Sequence, residues 1–470
     1  MQNNHKVAGI ALIILAIAVA GFCSGFIMDL NQPSSFEIDH ESQDINNSIF
    51  KIYRGQIYAS VPSNGEYPMP EADPASFRSL NQDGRYQNRQ FAVDQRHAYC
   101  GNLSVAALNP ATTHALEHNY FSDGLNTVYC AAMSQRNPEV SGFKEIKQTW
   151  LYGWGLADKP QTYNYQVVHL PKSTVPYRAI LNADIVTNGQ AVYYKGLAMP
   201  EANPNHLEAV AVPQDDQSIR LSHEFYHDQN SVFFKHHKLD IKSNNQLYSF
   251  YIDGLDQAYL FDPRQGQVIV DQLAFDPQNR PYQLLSSYGS HVNHAFFLSK
   301  QGVYFFDRKT QRIERAGDNP FLEGTWQEIS PLIFSYNNQT YFLHGSSRRG
   351  GNKNPRLISR STHLYQLKDA PAGAWQKVQD VGTHHFAEVW KKGEKYYYFD
   401  RLGSSQLIGQ VIYEIQGTQA LQLLLQGDPT ADEIRKLTRQ DQLKSVATTE
   451  VLKATTYYQK MLFGMIALPS

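Results

Sequence analysis

The segment from His223 to His227 reads His-Glu-Phe-Tyr-His, which is the spacing of a common zinc-binding motif. On an α-helix, histidines four residues apart share a face and can ligate one zinc ion, while the glutamate activates a bound water. Here the motif runs directly into a strand-like stretch, Asp228–Phe234. On a strand, the two histidines would lie about 13 Å apart, too far to share one ion. The strand is favoured, and His223, Glu224 and His227 form a minor candidate metal site.

Cys100 and Cys130 each follow a tyrosine at the same position of two similar segments. In an oxidising compartment they would form a disulfide if these segments are neighbours in space. Equivalent positions on adjacent sheets are often too far apart for a bridge. Two small buried apolar side chains are therefore the favoured interpretation, and the disulfide is the alternative.

Aspartates precede several aromatic strands, and a ring of such carboxylates would suit calcium binding or sugar chemistry. The four are Asp94, Asp123, Asp228 and Asp253. Aspartate at a turn commonly accepts hydrogen bonds from its own backbone two residues on, so we predict a turn-stabilising role. The sequence has no Gly-x-Ser-x-Gly elbow and no glycine-rich phosphate loop between a strand and a helix. We therefore assign no catalytic residue and no cofactor; a non-enzymatic role is favoured, and an enzymatic role is left open.

An uncharged segment near the N-terminus, Val7–Met28, spans 22 residues. As a helix it would be about 33 Å long, enough to cross the hydrocarbon core of a bilayer. We predict a signal anchor over residues 1–28, followed by a polar linker over 29–48. The alternative is a signal peptide that is cleaved near Ala20. Both interpretations place the bulk of the chain outside the cytoplasm.

The composition limits the class of the remaining chain. Of 470 residues, 42% are hydrophobic and 12% are aromatic, and the formal charge is −2. The chain can therefore bury a large core, and it has no net positive charge with which to hold nucleic acid. Its many tyrosines and phenylalanines favour β-strands.

A short aromatic strand that follows a polar turn recurs along the chain. From Tyr58 to Tyr397 the mean spacing is about 42 residues. A second marker, Asp-Pro or Asn-Pro, follows several of these strands and predicts a turn. It occurs at Asp73-Pro74, Asn109-Pro110, Asn203-Pro204, Asp276-Pro277 and Asn319-Pro320. Each unit thus predicts a small antiparallel sheet, and stacking of the sheets would bury the aromatic side chains.

These units resemble the DKNYY family, bacterial proteins named for a repeated Asp-Lys-Asn-Tyr-Tyr-type motif. The copies most similar to the motif lie at Phe225–Phe234 and Phe91–Tyr99. The resemblance covers Ser48–Asp276 well and the rest loosely, and lysine is missing from every copy. It implies an exported or membrane-anchored repeat protein, and it implies no catalytic residues.

We predict an all-β repeat domain over residues 49–427, most simply a β-propeller of seven or eight blades. An open array of β-repeats is the alternative, because the spacing between repeats is unequal. The long gaps at Ser134–Tyr165 and Arg348–Ser361 are predicted to be insertions between blades.

The C-terminal residues 428–470 are predicted to be a short helical tail. Thr430 and Glu433 have the spacing of a capping box ahead of a helix over Ala431–Arg439. A second helix is expected from about Glu450 to Leu462.

The predicted function is a membrane-anchored extracytoplasmic module that binds or scaffolds at the bacterial cell envelope. Residues 7–28 would hold it in the inner membrane, with the bulk in the periplasm, and its partner would be an envelope protein or a glycan. An envelope hydrolase on a propeller-like scaffold, dependent on a metal or on carboxylates, is the alternative.

Overall fold

The structure, a computed structural model, describes most of the chain beyond the N-terminal segment. The described residues are 33–81, 88–140, 142–181, 183–214, 218–252, 257–286, 288, 292–350, 356–383, 385–403, 408–458, 460–462 and 466–468. The predicted anchor Val7–Met28 and the cleavage site near Ala20 therefore lie outside the described residues. None of the helices in these ranges has the length and apolar character needed to cross a membrane.

The described chain is mostly β-structure, as the aromatic repeats predicted. The strands of the first half are β1 (Gln43–Asp44), β2 (Phe50–Tyr53), β3 (Gln56–Val61), β4 (Gly65–Pro68), β5 (Arg78–Ser79), β6 (Phe91–Val93), β7 (Ala98–Cys100), β8 (Leu103–Ser104), β9 (His114–Ala115), β10 (Tyr120–Ser122), β11 (Thr127–Arg136), β12 (Tyr163–His169), β13 (Arg178–Ile180), β14 (Ile185–Thr187), β15 (Val192–Tyr194), β16 (Leu197–Ala198), β17 (Glu208–Pro213), β18 (Ile219–His227), β19 (Val232–Phe234) and β20 (His237–Leu239). Those of the second half are β21 (Tyr248–Tyr251), β22 (Ala258–Asp262), β23 (Gln267–Val270), β24 (Leu273–Ala274), β25 (Gln283–Leu284), β26 (Phe297–Ser299), β27 (Gly302–Asp307), β28 (Arg312–Gly317), β29 (Gln327–Ser330), β30 (Ile333–Tyr336), β31 (Gln339–Arg349), β32 (Leu357–Leu367), β33 (Gln376–Val381), β34 (Ala387–Lys392), β35 (Lys395–Asp400), β36 (Ile412–Ile415), β37 (Leu443–Ser445), β38 (Thr448–Tyr457), β39 (Lys460–Leu462) and β40 (Ile466–Leu468). The helices of the described residues are α1 (Ser35–Glu41), α2 (Phe143–Gly153), α3 (Thr418–Gln426) and α4 (Ala431–Arg439), with a 3₁₀ turn at Pro277–Asn279.

The chain divides into two compact units. The first unit contains the described residues up to Glu208 together with His227–Ile241. The second unit contains Ala209–Tyr226 and the described residues from Lys242 onward.

Four consecutive strands, each hydrogen-bonded to the next, recur as antiparallel sheets in both units. In the first unit these sheets are β1–β4, β5–β8, β9–β12 and β13–β16. In the second unit they are β21–β24, β25–β28, β29–β32 and β33–β36; β17 extends the first of these by pairing in parallel with β21, and the last two gain β38 and β37 at one edge. Strands β17–β20 are also hydrogen-bonded in chain order. The prediction of many small antiparallel sheets is confirmed. The Asp-Pro and Asn-Pro turns lie between successive sheets, as at Asp73 between β4 and β5.

Aromatic side chains fill the interfaces between successive sheets, because each small sheet cannot bury its faces alone. In the first unit, the rings of Phe91 and Phe121 stack with centroids 3.7 Å apart. Gly101 allows a similarly close approach, since a Cβ there would lie 1.9 Å from the ring of Tyr165. In the second unit, Phe275 packs edge-on against Phe297 at 4.8 Å.

The predicted linker over 29–48 is wrong for its described part. Ser34 caps α1 by accepting a hydrogen bond from the amide of Glu37. Ile38 is buried against Tyr53 and Tyr58. One buried residue in a seven-residue helix leaves too little periodicity for a sequence pattern to show.

The C-terminal tail was predicted correctly in its first part only. Thr430 caps helix α4 with both hydrogen bonds of the predicted capping box. The second helix is wrong, because Thr448–Tyr457 is a strand that pairs along β32. Its threonines and valine suit a strand, and Leu452, Ala454 and Thr456 are buried in alternation.

The two predicted insertions lie within sheets rather than between them. The stretch Ser134–Tyr165 includes the ends of β11 and β12 with helix α2 between these paired strands. The stretch Arg348–Ser361 is the far end of the long hairpin β31–β32, of which residues 351–355 lie outside the described ranges.

Candidate functional site

The repeated aspartates stabilise turns, and they also hold the segment that leads into their own sheet. The carboxylate of Asp94 lies in the turn between the second and third strands of the β5–β8 sheet. It accepts hydrogen bonds from the amides of Arg96 and His97, at 2.7 and 2.6 Å. It also accepts from the amide of Asp73, at 3.0 Å, and from the hydroxyl of Tyr99. One side chain thus ties the turn to the preceding Asp-Pro segment.

Asp123 and Asp228 repeat this arrangement. Asp123 accepts from the amide of Asn109 at 3.0 Å, and Asp228 accepts from the amide of Asn203 at 2.9 Å. Both donors are the residue before a proline, as Asp73 is. The turn-stabilising prediction is therefore confirmed for Asp94, Asp123 and Asp228, whereas Asp253 lies outside the described residues.

In other sheets, different side chains link the turn between the second and third strands to the segment that leads into the sheet. Asn188 occupies the turn between the second and third strands of the β13–β16 sheet and donates to the Oγ of Ser173 in the segment before β13. In the β21–β24 sheet, Asp262 accepts from the side-chain amide of Asn244 at 3.0 Å. By position in its sheet, Asp262 is the equivalent of Asp94, whereas Asp253 was the residue that the sequence pattern had aligned.

The zinc motif lies on strand β18, as the favoured interpretation predicted. His223 is exposed, while the intervening Phe225 and Tyr226 are buried. Extended backbone separates His223 from His227 by about 13 Å, so the pair cannot share a metal ion. Among the described residues, no three His, Cys, Asp or Glu side chains are grouped to hold a metal ion.

A disulfide joins Cys100 on β7 to Cys130 on β11, with Cα atoms 5.8 Å apart. The alternative interpretation of these cysteines, rather than the favoured one, is therefore what the structure contains. Both side chains are fully buried between the β5–β8 and β9–β12 sheets. The sheets pack closely enough there for the short bridge, since Phe91 and Phe121 stack beside it.

A pocket of about 240 Å³ opens where the first three sheets of the first unit meet. Its lining comes from the end of β4, the β7–β8 turn and the segment that leads into β12. The lining residues are Tyr67, Pro68, Met69, Pro70, Glu71, Tyr99, Asn102, Leu103, Ser104, Asp158 and Gln161. This pocket was not predictable from the sequence, because its walls come from segments far apart in the chain.

The charged residues that line this pocket are both acidic. The exposed carboxylates of Glu71 and Asp158 lie in the wall. Burial raises the pKa of Tyr67, and the nearby charge of Asp158 raises it further. Tyr67 and Tyr99 are buried, so the aromatic faces are not open for stacking on a ligand. The pocket therefore suits a positively charged group of limited size.

Exposed apolar side chains occur on α2 and in the residues that follow it, shortly before the pocket residue Asp158 in the sequence. Phe143, Ile146 and Trp154 are 82%, 52% and 40% exposed, and Leu156 is 72% exposed. Ile146 follows Phe143 by three residues, and Trp154 follows Ile146 by eight. These spacings place the three side chains on one side of α2 and its C-terminal continuation. Leu156 is two residues from Asp158 in the sequence, so these exposed apolar residues lead up to the acidic pocket wall along the chain.

A hydroxyl, an imidazole and a carboxylate form a hydrogen-bonded row in the second unit. The Oγ of Ser346 on β31 lies 3.0 Å from Nε2 of His363 on β32. Nδ1 of the same ring lies 2.6 Å from Oε2 of Glu450 on β38. This row was not predictable from the sequence either, because its members are 17 and 87 residues apart.

Comparison with known proteins agrees with the repeat pattern. No curated protein is significantly similar to the chain. The sequence profile of the DKNYY family matches residues 50–237. This range falls within the stretch Ser48–Asp276 that carried the resemblance and contains the links made by Asp94, Asp123 and Asp228. Residues 50–237 of the chain are thus identified as a DKNYY family region.

Proposed function

We propose that the protein is an extracytoplasmic module of the bacterial cell envelope that binds a protein partner through the first unit. The N-terminal segment 7–28 anchors it in the inner membrane with its bulk in the periplasm, or directs its secretion after cleavage near Ala20. The Cys100–Cys130 disulfide supports this location, because such bridges persist in oxidising compartments.

The observation that carries this proposal is the acidic pocket, together with the exposed apolar residues of α2 that precede its Asp158 in the chain. An exposed apolar surface with a polar neighbour is typical of a protein interaction site. The carboxylates of Glu71 and Asp158 complement a lysine or arginine side chain of the partner. A glycan is less well matched, because Tyr67 and Tyr99 offer no open ring face.

The stacked sheets serve as the scaffold that presents this surface. Closure of the repeats into a propeller of seven or eight blades is part of the proposal, with an open array of β-repeats as the alternative. A metal-dependent hydrolase at His223–His227 has lost its support, because the motif lies on a strand.

Titration with the short peptide Ac-Leu-Arg-Leu-amide, and with its uncharged citrulline twin, tests the pocket. The arginine peptide should bind more tightly than its twin. Changing Glu71→Gln and Asp158→Asn together should weaken its binding about fivefold, since two exposed ion pairs are worth about 1 kcal/mol. Glu201→Gln, which changes an exposed acid elsewhere in the first unit, is the matched control and should have no effect.

A photo-cross-linking residue in place of Ile146 tests the same surface in cells. The adduct with an envelope protein should disappear in the Glu71→Gln, Asp158→Asn chain and persist in the Glu201→Gln chain. Equal affinity for the two peptides, together with a cross-link that does not depend on the two acids, would contradict the proposal.

A further inference from the structure

We propose that Ser346 is an activated nucleophile for acyl transfer, with His363 as its general base and Glu450 as the carboxylate that positions the imidazole. The site belongs to the second unit, whereas the residues of the binding proposal belong to the first, and it does not depend on that proposal. The substrate class is a carboxylic ester that carries a negative charge.

The hydrogen bonds define the tautomer that such a base needs. A carboxylate can only accept, so Nδ1 of His363 carries a proton and donates it to Glu450. In the neutral ring, Nε2 is then the acceptor, and the hydroxyl of Ser346 must donate to it. This is the order of roles in a serine–histidine–acid triad, which is recognised by geometry rather than by chain position.

The solvent exposure of the three side chains fits their roles as nucleophile, base and positioning carboxylate. Ser346 is exposed, so a substrate can reach its Oγ. The side chain of His363 is only 9% exposed, and that of Glu450 is 47% exposed. The base is therefore shielded from water, while the nucleophile lies at the surface.

The base and the nucleophile are held in place by their surroundings. The ring of Tyr365 stacks on His363, nearly parallel, with centroids 5.3 Å apart. The side-chain amide of Asn293 donates to the carbonyls of Ser346 and Ser361, which are partners in the register of β31 and β32. Such support limits the motion of both reacting groups.

Two cationic residues lie on the same strands as the Ser346–His363–Glu450 row, and they are the reason for proposing a negatively charged substrate. Arg348 follows Ser346 by two residues on β31, which places both on one face of the sheet. Lys453 pairs in register with His363 across β32 and β38. Both cations can attract an anionic ester and stabilise the oxyanion that forms during attack.

The proposed ester hydrolysis needs no reagent other than water. The Oγ of Ser346 bonds to the ester carbon as its proton moves to Nε2 of His363. The carbon–oxygen bond to the leaving alcohol breaks, and the alcohol takes that proton. Water then attacks the acyl-serine, gives a proton to Nε2, and releases the acid as Ser346 regains its proton.

Labelling of the full chain in detergent with a biotinylated fluorophosphonate tests the inference. Mass spectrometry should find the phosphonyl adduct on Ser346. Glu450→Gln is a mild change at an exposed position, and it should slow labelling about 100-fold while the melting temperature stays near that of the wild type. His363→Ala should abolish labelling. Hydrolysis of p-nitrophenyl succinate should fall in parallel, through kcat rather than KM.

Ser347→Ala removes the neighbouring hydroxyl, whose side chain points to the opposite face of β31, and serves as the control that keeps full labelling. An unlabelled Ser346 in folded wild-type protein, beside a serine hydrolase standard that is labelled, would overturn the inference. Labelling of Ser346 at an unchanged rate in Glu450→Gln would also overturn it. Neither result bears on the peptide binding of the first unit.

Discussion

At the scale of single residues, the repeated aspartates show what a sequence motif can and cannot reveal. Their role in local turns was predictable, because Asp94 and its amide donors are two and three residues apart. The bond from the amide of Asp73 was not, since it depends on how the preceding segment folds back. For the same reason the sequence pattern pointed to Asp253, whereas Asp262 is the structural equivalent.

The Asp123 link should make part of the stability of the first unit depend on pH. Partial burial raises the pKa of this carboxyl, but hydrogen bonds from Asn126, Asn109 and Leu125 outweigh it and lower the pKa to about 2. A lowered pKa contributes stability that is fully present above the ordinary value of 3.8 and is lost as the pH falls toward 2. Asp123→Asn should therefore flatten the fall in melting temperature between pH 5 and about pH 2.5.

Asn188 provides the reciprocal control, because it occupies the equivalent turn and accepts from the amides of Gln190 and Ala191. Asn188→Asp should steepen the same acid-dependent fall. If both substitutions leave the profile of the wild type unchanged, the turn carboxylates do not contribute to the acid sensitivity.

Two fully buried tyrosines should respond oppositely to loss of the hydroxyl. Tyr120 accepts from the amide of Gly196 at 2.9 Å and donates toward the carbonyls of Asp184 and Tyr193. Tyr120→Phe should lower the free energy of unfolding by about 1–3 kcal/mol, because the Gly196 amide loses its partner. The hydroxyl of Tyr259 makes no hydrogen bond to any described residue.

Tyr259→Phe should therefore leave the free energy of unfolding unchanged or raise it by about 1 kcal/mol. Urea unfolding followed by tryptophan fluorescence measures both variants. A larger loss in Tyr259→Phe than in Tyr120→Phe would contradict the hydrogen-bond assignment.

At the scale of elements, sequence signals confined to a few neighbouring residues predicted structure better than a weak periodicity of apolar residues did. The capping box at Thr430 lies within four residues of sequence and correctly placed the start of α4. The apolar residues after Glu450 fit a helix or a strand about equally. The edge of β32 decided between them, because it offers Thr448–Tyr457 backbone partners along its length, with one shift of register between Leu364 and Tyr365.

The bridge between β7 and β11 should contribute strongly to the stability of the first unit. It closes a loop of 30 residues, which corresponds to roughly 3–4 kcal/mol in the chain-entropy model. Replacing Cys100 and Cys130 together by alanine should lower the free energy of unfolding by an amount of this order. Urea unfolding without reductant measures the difference.

Thiol counting provides the independent check on this bridge. The denatured full chain should show only the thiol of Cys23 without reductant and three thiols after reduction. Three titratable thiols in the unreduced chain from the envelope would contradict the bridge.

At the scale of the whole molecule, the number and kind of repeats were predictable, but the convergence of distant residues was not. Eight or nine units of about three or four strands were expected, and nine runs of four consecutive hydrogen-bonded strands are present among the described residues. Ser346, His363 and Glu450 carry no common motif, since only the register of three strands brings them together.

The proposed location of the whole chain is open to a direct test. Protease added to spheroplasts should digest the chain down to a short membrane-bound remnant, because the bulk lies outside the cytoplasm. The same protease added to intact cells should leave it whole. A chain that is protected in spheroplasts until detergent is added would contradict the proposed orientation.

The bond between a turn and the segment leading into the same sheet has a further consequence for the history of the chain. Because Asp123 and Asn109 belong to one stretch of sequence, a gene duplication that copies this stretch also copies both bonding partners. Each copy is then free to diverge as a pair, which is consistent with the asparagine at residue 188, in the turn position that Asp123 occupies in its own sheet. The array can thus lengthen or shorten by whole sheets, because each added sheet brings its own hydrogen bond between turn and leading segment.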